Sequence, residues 1–306
     1  MADYDFLQYE MHDDGSIVRI LLDRPDARNA QNRGMLVELD HAFLRAEADD
    51  QCRVVILGGT GPIFSSGHDL GSKQAVAEYS SHPTWQINGG SRDGTEKRML
   101  QEWHYFFQNT LRWRNLRKIT IAQAQGPVYA AGLMLLWACD LIVGADDAVF
   151  ADVVGTRLGM CGLEYFGHPW EFGPRKAKEL LLTGDSIDVH EAHSLGMVSK
   201  VFPRAELESS TLDFARRIAK LPTMTALMIK ESVNQTQDAQ GFYSSLQACF
   251  TIHQLNHAHW AEVHDNRFPA ALPEDGITAW REALPIVPAE KTTVRAAGAA
   301  AGGGAS

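Results

Sequence analysis

The sequence predicts an α/β body followed by an all-helical C-terminal part. Short β-branched runs such as Ile17–Leu22 and Ile119–Ala124 alternate with stretches of helical periodicity up to about residue 200. From Arg204 to about His264 the pattern is helical throughout. At 306 residues, 45% hydrophobic and 22% charged, the chain can bury a substantial core and has an ordinary globular composition.

Ile17–Leu22 reads as a strand ended by the turn Asp23-Arg24-Pro25-Asp26. Met35, Leu36, Leu39, Phe43 and Ala46 then recur at helical spacing, with Asn32 in the capping position. Arg53–Leu57 is a second strand, closed by Gly58-Gly59-Thr60-Gly61-Pro62. Lys73–Thr95, polar and glycine-containing, reads as a mobile surface segment or a lid. A helix over Glu96–Arg114 leads to the strand Ile119–Ala124, a helix within Ala131–Ala138, and strands at Leu141–Ala145 and near Val149–Phe150. Pro174–Leu182 is helical, and Asp188 caps a further helix through Leu195. The closing AAGAAAGGGAS is low-complexity and expected to be disordered.

A net charge of -10 argues against a partner with a phosphate backbone, so no nucleic acid is expected. Cys52, Cys139, Cys161 and Cys249 lie far apart without a CxxC pair, which predicts reduced and mostly buried thiols. MADYDFLQYE lacks the basic and apolar regions of a signal peptide, and a cytoplasmic protein is expected. The stretch from Gly126 to Leu141, "GPVYAAGLMLLWACDL", is too short for a membrane span and reads as a buried helix.

Two glycine turns carry the first functional signal. "FSSGHDL", Phe64 to Leu70, follows a strand, and Gly67 lets the backbone pass close to a ligand while the His68 NH stays available. Gly126 repeats the device before a helix opening near Ala131, where first-turn NH groups have no internal partner. Two such amides converging on one carbonyl oxygen would form an oxyanion hole; packing alone is the alternative reason for the glycines.

The segments "LLDRPDARNAQN", "VVILGGTGPIFSSGHDL", "AQGPVYAAGLMLLWACDLIVGADDAVF", "GPRKAKELLLTGDSIDVHEAHSLGMVSKVFP" and "MIKESVN" stand in an order that resembles the enoyl-CoA hydratase/isomerase (crotonase) superfamily, over about residues 17–235. The resemblance implies a crotonase-like ββα spiral over 1–202, a helical oligomerisation region over 203–265, and an extension over 266–306. It implies trimers or dimers of trimers, and an acyl-CoA thioester as ligand, with no permanently bound cofactor. Carried onto this chain, the oxyanion donors are the NH groups of His68 and Ala131, and His68 through Gly71 (Asp69 and Leu70 between) line the thioester site. Arg24, Arg28 and Lys230 match positions near the adenosine phosphates, with a solvated surface role as the alternative.

The chain departs from the family where hydratases carry two glutamates, one to handle water and one to deliver the α-proton. Met134 and Val154 (or Gly155, with a gap) occupy those positions, and Ala130-Ala131-Gly132 replaces a glycine triplet. Efficient hydration by the usual route is therefore not expected. The loop "MCGLEYFGHPWEFGPR" offers Glu164 and His168, in roughly the region where aryl-CoA dehalogenases of the superfamily place an essential acid. Glu164 would be a base or nucleophile, against an ion pair or cap for the helix near Pro174. Asp152 would reach the same space, against a turn-forming role. The His68 side chain would donate toward the thioester or, as the favoured reading, face solvent. Met134, Trp137 and Val154 predict a bulky apolar acyl group, and Trp103, Trp113 and Trp170 read as core or pocket walls. His253 and His257 have the i,i+4 spacing of zinc ligands, but no HExxH follows, and no metal is expected. Two functions stay open: an enzyme passing through a thioester enolate, and an acyl-CoA-binding protein without turnover.

Overall fold

A computed structural model describes residues 4–70, 72–75, 78 and 95–266. In chain order the strands are β1 (Leu7–His12), β2 (Ile17–Leu22), β3 (Val54–Gly59), β4 (Ile119–Ala124), β5 (Pro127–Tyr129), β6 (Leu141–Ala145), β7 (Val149–Ala151), β8 (Ile187–Asp188) and β9 (Lys200–Phe202). The helices are α1 (Arg33–Ala48), α2 (Thr95–Gln101), α3 (Asn109–Arg114), α4 (Ala131–Trp137), α5 (Val154–Leu158), α6 (His168–Phe172), α7 (Pro174–Thr183), α8 (Val189–Leu195), α9 (Leu207–Ala219), α10 (Thr223–Ala239) and α11 (Phe242–Val263). One sheet has the order β1-β2-β3-β4-β6-β9, and a smaller one runs β5-β7-β8.

β2, β3 and β4 are buried along their whole length and pair in parallel with one another, their apolar runs interrupted only by buried polar residues, Arg19 in β2 and Thr120 and Gln123 in β4. One face packs on α1 through Met35, Leu36, Leu39 and Phe43. The other, with Ile17, Val54, Ile56, Ile121 and Val143, is covered by Leu207, Leu212 and Ala215 of α9. Because β3 and β4 are adjacent and parallel, both glycine turns leave the same end of the sheet. Asn29 ties the first turn down, its amide donating to the Thr60 and Ile63 carbonyls at 2.9 Å each.

Several sequence expectations shift. β1 was not foreseen because LQYEMH mixes charge into the alternation; it is the antiparallel edge strand, half open to solvent. Asn32 stands at the start of α1 but makes no capping bond; its amide donates to Glu78 at 2.6 Å. Asp188 does cap α8, accepting from His190 N and Glu191 N at 2.9 and 2.8 Å. The loop before Pro174 contains the short helix α6. The helix expected over Glu96–Arg114 is broken by a π-helical stretch, Glu102–Gln108, between α2 and α3. Cys52 is buried, but Cys139 and Cys249 are half-buried and Cys161 is exposed; all are free. Trp113 and Trp137 are core residues, whereas Trp103 and Trp170 are exposed. Most of Lys73–Thr95, and the extension beyond Asn266, lie outside the described residues. Among the described residues no helix is long and apolar enough to cross a membrane.

Candidate active site

The two glycine turns touch. Gly67 sits at φ +97, and a Cβ placed on it would lie 3.1 Å from the Ala131 nitrogen and 2.9 Å from Ala130 Cβ. Ser65 and Val128 form a parallel bridge, with Tyr129 N donating to Ser65 O at 3.0 Å, so the segments run side by side into the turns. Ala130 holds φ 48 and ψ -127, a conformation foreign to residues with a side chain and therefore strained. Ala131 opens α4, and neither its NH nor that of His68 donates to a described protein atom. Both residues line one cavity of about 210 Å³.

The same cavity also carries charged side chains. Glu164 lies 3.6 Å from His68 Nε2 and 3.8 Å from His253 Nε2. Burial opposes the charge on Glu164, but His68 and then His253 overcome it and hold the carboxyl well below the usual carboxylate range. Glu102, His253 and His257 complete the cluster, and all three line the cavity. Burial alone would discharge His253, yet Cys161, Glu102 and Glu164 together raise it well above the ordinary histidine value. Burial dominates at His257 and lowers it. Arg157 and Ser66 also line the cavity, and most of the remaining wall is apolar, with Leu70, Phe106, Val154, Leu158, Met160 and Leu163.

The His68 imidazole does not face solvent, contrary to the favoured sequence reading. It stacks on Phe106 with ring centroids 3.6 Å apart, and among the described residues neither ring nitrogen has a hydrogen-bond partner. The π turn supplies both Phe106 and Glu102, an irregularity common at functional sites. Sequence periodicity gave no signal for either residue, because it assumes a uniform turn.

A sequence profile of the enoyl-CoA hydratase/isomerase family matches residues 12–285. The chain belongs to that family. It is 64% identical over 293 residues to EchA13 of Mycobacterium tuberculosis, which carries the name of an enoyl-CoA hydratase, covering 94% of this chain and 92% of that protein. It is 30% identical over 258 residues to 4-chlorobenzoyl coenzyme A dehalogenase-1 of an Arthrobacter species, covering 82% and 86%. Among solved structures, a Mycobacterium smegmatis protein assigned as an enoyl-CoA hydratase superposes with TM-score 0.76 at 41% identity, covering 87% of this chain and 99% of that one. An enoyl-CoA hydratase/isomerase of Xanthobacter autotrophicus Py2 gives TM-score 0.72 at 28% identity, over 92% and 98%. The α/β body with its helical C-terminal region is the crotonase fold.

Several residues that the family pattern singled out stand elsewhere. Val154 lines the cavity, but Met134 and Trp137 are packed in the core, with Trp137 donating to Met197 Sδ at 3.4 Å. Asp152 and His168 bond to each other at 2.9 Å with side chains 1% exposed, and neither lines the cavity. Asp152 also accepts from Val154 N at 2.9 Å, the turn-forming role. Glu164 neither caps nor pairs with the helix near Pro174. Lys230 is buried and donates to Asp140 and to the Lys118 carbonyl, both at 3.0 Å, so its charge is unavailable to a phosphate. Arg24 is paired to Asp69 at 3.0 Å, while Arg28 is exposed. Gly71 lies outside the described residues.

The Asp152–His168 pair makes a prediction of its own. Asp152→Ala strands a buried imidazole and one NH of the α5 turn, at a cost of about 1–3 kcal/mol. Chemical denaturation measures the loss, and Asp152→Asn, which can still bond His168, is expected to recover part of it.

Proposed function

We propose that this protein is an enzyme acting on an acyl- or enoyl-CoA thioester through an enolate whose oxygen is held by the His68 and Ala131 amides. The observation that carries the reading is the meeting, in one cavity, of two touching turns with undonated NH groups and a buried carboxylate, Glu164. Such donors act hardest on charge that develops in the transition state, in a site from which water is excluded. Glu164 is the acid/base or nucleophilic group, with His68 beside it. Asp152 and His168 drop behind, since His168 Nε2 and Asp152 Oδ2 are engaged with each other and neither residue lines the cavity. With Met134 and Val154 where hydratases carry glutamates, the chemistry is not that of the usual pair. Relatives carrying hydratase and aryl-CoA dehalogenase names bracket the reaction class.

Free cysteines fit a cytoplasmic setting. Met224, Met228 and Val233 on α10, with Ile252 and Leu255 on α11, are all at least half exposed, which supports a trimer or a dimer of trimers. The coenzyme enters as part of the substrate.

The test is a panel of enoyl- and acyl-CoA thioesters, followed both for binding and for loss of the conjugated thioester absorbance. Tight binding without product across the panel defeats the enzyme reading and leaves an acyl-CoA-binding protein. The apolar wall predicts that a ring-bearing or long-chain thioester is used at least about 10-fold better in kcat/KM than the acetyl or crotonyl ester. Two extra buried methylenes suffice for that, at about 0.8 kcal/mol each. Equal or reversed preference contradicts it.

A further inference from the structure

The long C-terminal helix α11 turns His253 and His257 onto one face, and the first residue of the π turn, Glu102, meets them there. The two imidazole Nε2 atoms are 3.0 Å apart. His257 Nε2 lies 3.3 Å from Glu102 Oε1, and His253 Nε2 lies 3.7 Å from Glu102 Oε2. All three side chains are buried, and their donor atoms lie within 4.8 Å of one another.

With Glu102 as a carboxylate, hydrogen alone does not satisfy this arrangement. Each Nε2 carries either one proton or one lone pair. If one imidazole donates to the other, the acceptor has no proton left for Glu102 at that nitrogen, and a carboxylate oxygen faces a lone pair. If both nitrogens are protonated, two hydrogens collide across 3.0 Å. A cation between the three atoms satisfies every one of them. Around a tetrahedral zinc-like ion with bonds of about 2.0–2.1 Å, ligand atoms stand about 3.3–3.4 Å apart. The edges of 3.0 Å between the two imidazole nitrogens and 3.3 Å from His257 to Oε1 lie close to that spacing, and the 3.7 Å approach of His253 is to the second carboxylate oxygen, Oε2.

We propose that Glu102, His253 and His257 bind a divalent transition-metal ion of the zinc class in the wall of the cavity. An outer contact is already in place: Gln254 Nε2 donates to Glu102 Oε2 at 2.8 Å, fixing the carboxylate and leaving Oε1 for the ion. Binding displaces the proton the imidazoles would otherwise share. Two histidines and one carboxylate, all lining the cavity, leave a fourth position toward its interior, the plan of catalytic rather than structural zinc sites. Glu164, whose Oε1 is 3.8 Å from His253 Nε2, offers a further carboxylate beside the site. The spacing of the two histidines was visible in the sequence, but their third partner comes from a helix far away along the chain. The inference does not rest on the acyl-CoA reading, and its test contains no thioester.

The probe is Co²⁺, added to the full-length protein after dialysis against a chelator. We expect stoichiometric binding with the intense visible bands of four- or five-coordinate cobalt, bleached by one equivalent of Zn²⁺. His257→Ala removes the bands. The exposed His190→Ala leaves them unchanged, which excludes a general histidine effect. Gln254→Ala, an outer-contact change that spares the core, weakens binding by about 10–100-fold. Circular dichroism confirms that each variant is folded. Absence of bands in the wild type, the weak spectrum of six-coordinate cobalt, or bands that persist in both His257→Ala and Glu102→Gln overturns the proposal.

Discussion

Glu164→Gln is expected to bind acyl-CoA as the wild type does while turning over about 10²–10⁴-fold more slowly, the range over which a positioned acid/base group acts. The amide keeps the shape of the carboxylate and removes its charge, so the effect falls on kcat rather than KM. Burial makes an isolated charge here unfavourable, and His68 and His253 are what hold Glu164 ionised. On the proposed reading, an ionised, enclosed carboxylate sharing a cavity with two amides that donate to no described protein atom suits a reaction that creates negative charge on a carbonyl oxygen. Single-turnover measurement on whichever thioester of the panel is consumed separates the chemical step from product release. If kcat is unchanged in Glu164→Gln, and Asp152→Asn is the slow variant instead, the catalytic assignment moves to the buried pair.

How far the sequence exposed this site depends on whether the relevant contact is local. Ile17–Leu22 and Ile119–Ala124 are legible because strands buried on both faces are apolar at most positions, and Arg19, Thr120 and Gln123 interrupt the runs without hiding them. The turns are legible because Gly67 and Gly126 adopt positive φ, where a side chain is penalised. Ala130 was not, since its strained conformation breaks the rule that made the glycines informative. Glu164 stood out as an acid in a glycine-punctuated loop, but nothing local revealed that it faces His68, almost a hundred residues earlier. His68 was misread for the same reason: its stacking partner Phe106 reaches the cavity through a π turn that helical periodicity does not encode. Lys230 looked like a surface cation until its buried contact with Asp140 was seen, a pairing between residues far apart in the chain. Fold-level signals repeat along the chain, whereas the cavity is assembled from single residues of separate elements.

The contact between the two turns gives the second large effect. Gly67→Ala is expected to lower kcat by about 10²–10³-fold, as loss of one oxyanion donor does elsewhere. The new methyl group would stand 2.9 Å from Ala130 Cβ, 3.1 Å from Ala131 N and 3.1 Å from Tyr129 O. These neighbours belong to main chain or to a Cβ, so none can swing aside as a flexible side-chain tip would. The turns must separate, and the amides of His68 and Ala131 then no longer converge on one oxygen. The left-handed backbone at Gly67 adds a strain of about 1–2 kcal/mol, which a stability control has to separate from the catalytic loss. Gly61→Ala provides it: φ there is +75 and the added methyl meets Pro25 Cβ at 2.9 Å, remote from the cavity. Gly61→Ala is expected to lose stability but retain turnover, while Gly67→Ala loses turnover at temperatures where it remains folded. Equal activity losses in the two variants, tracking their melting temperatures, would falsify the claim that the touching turns hold the reacting oxygen.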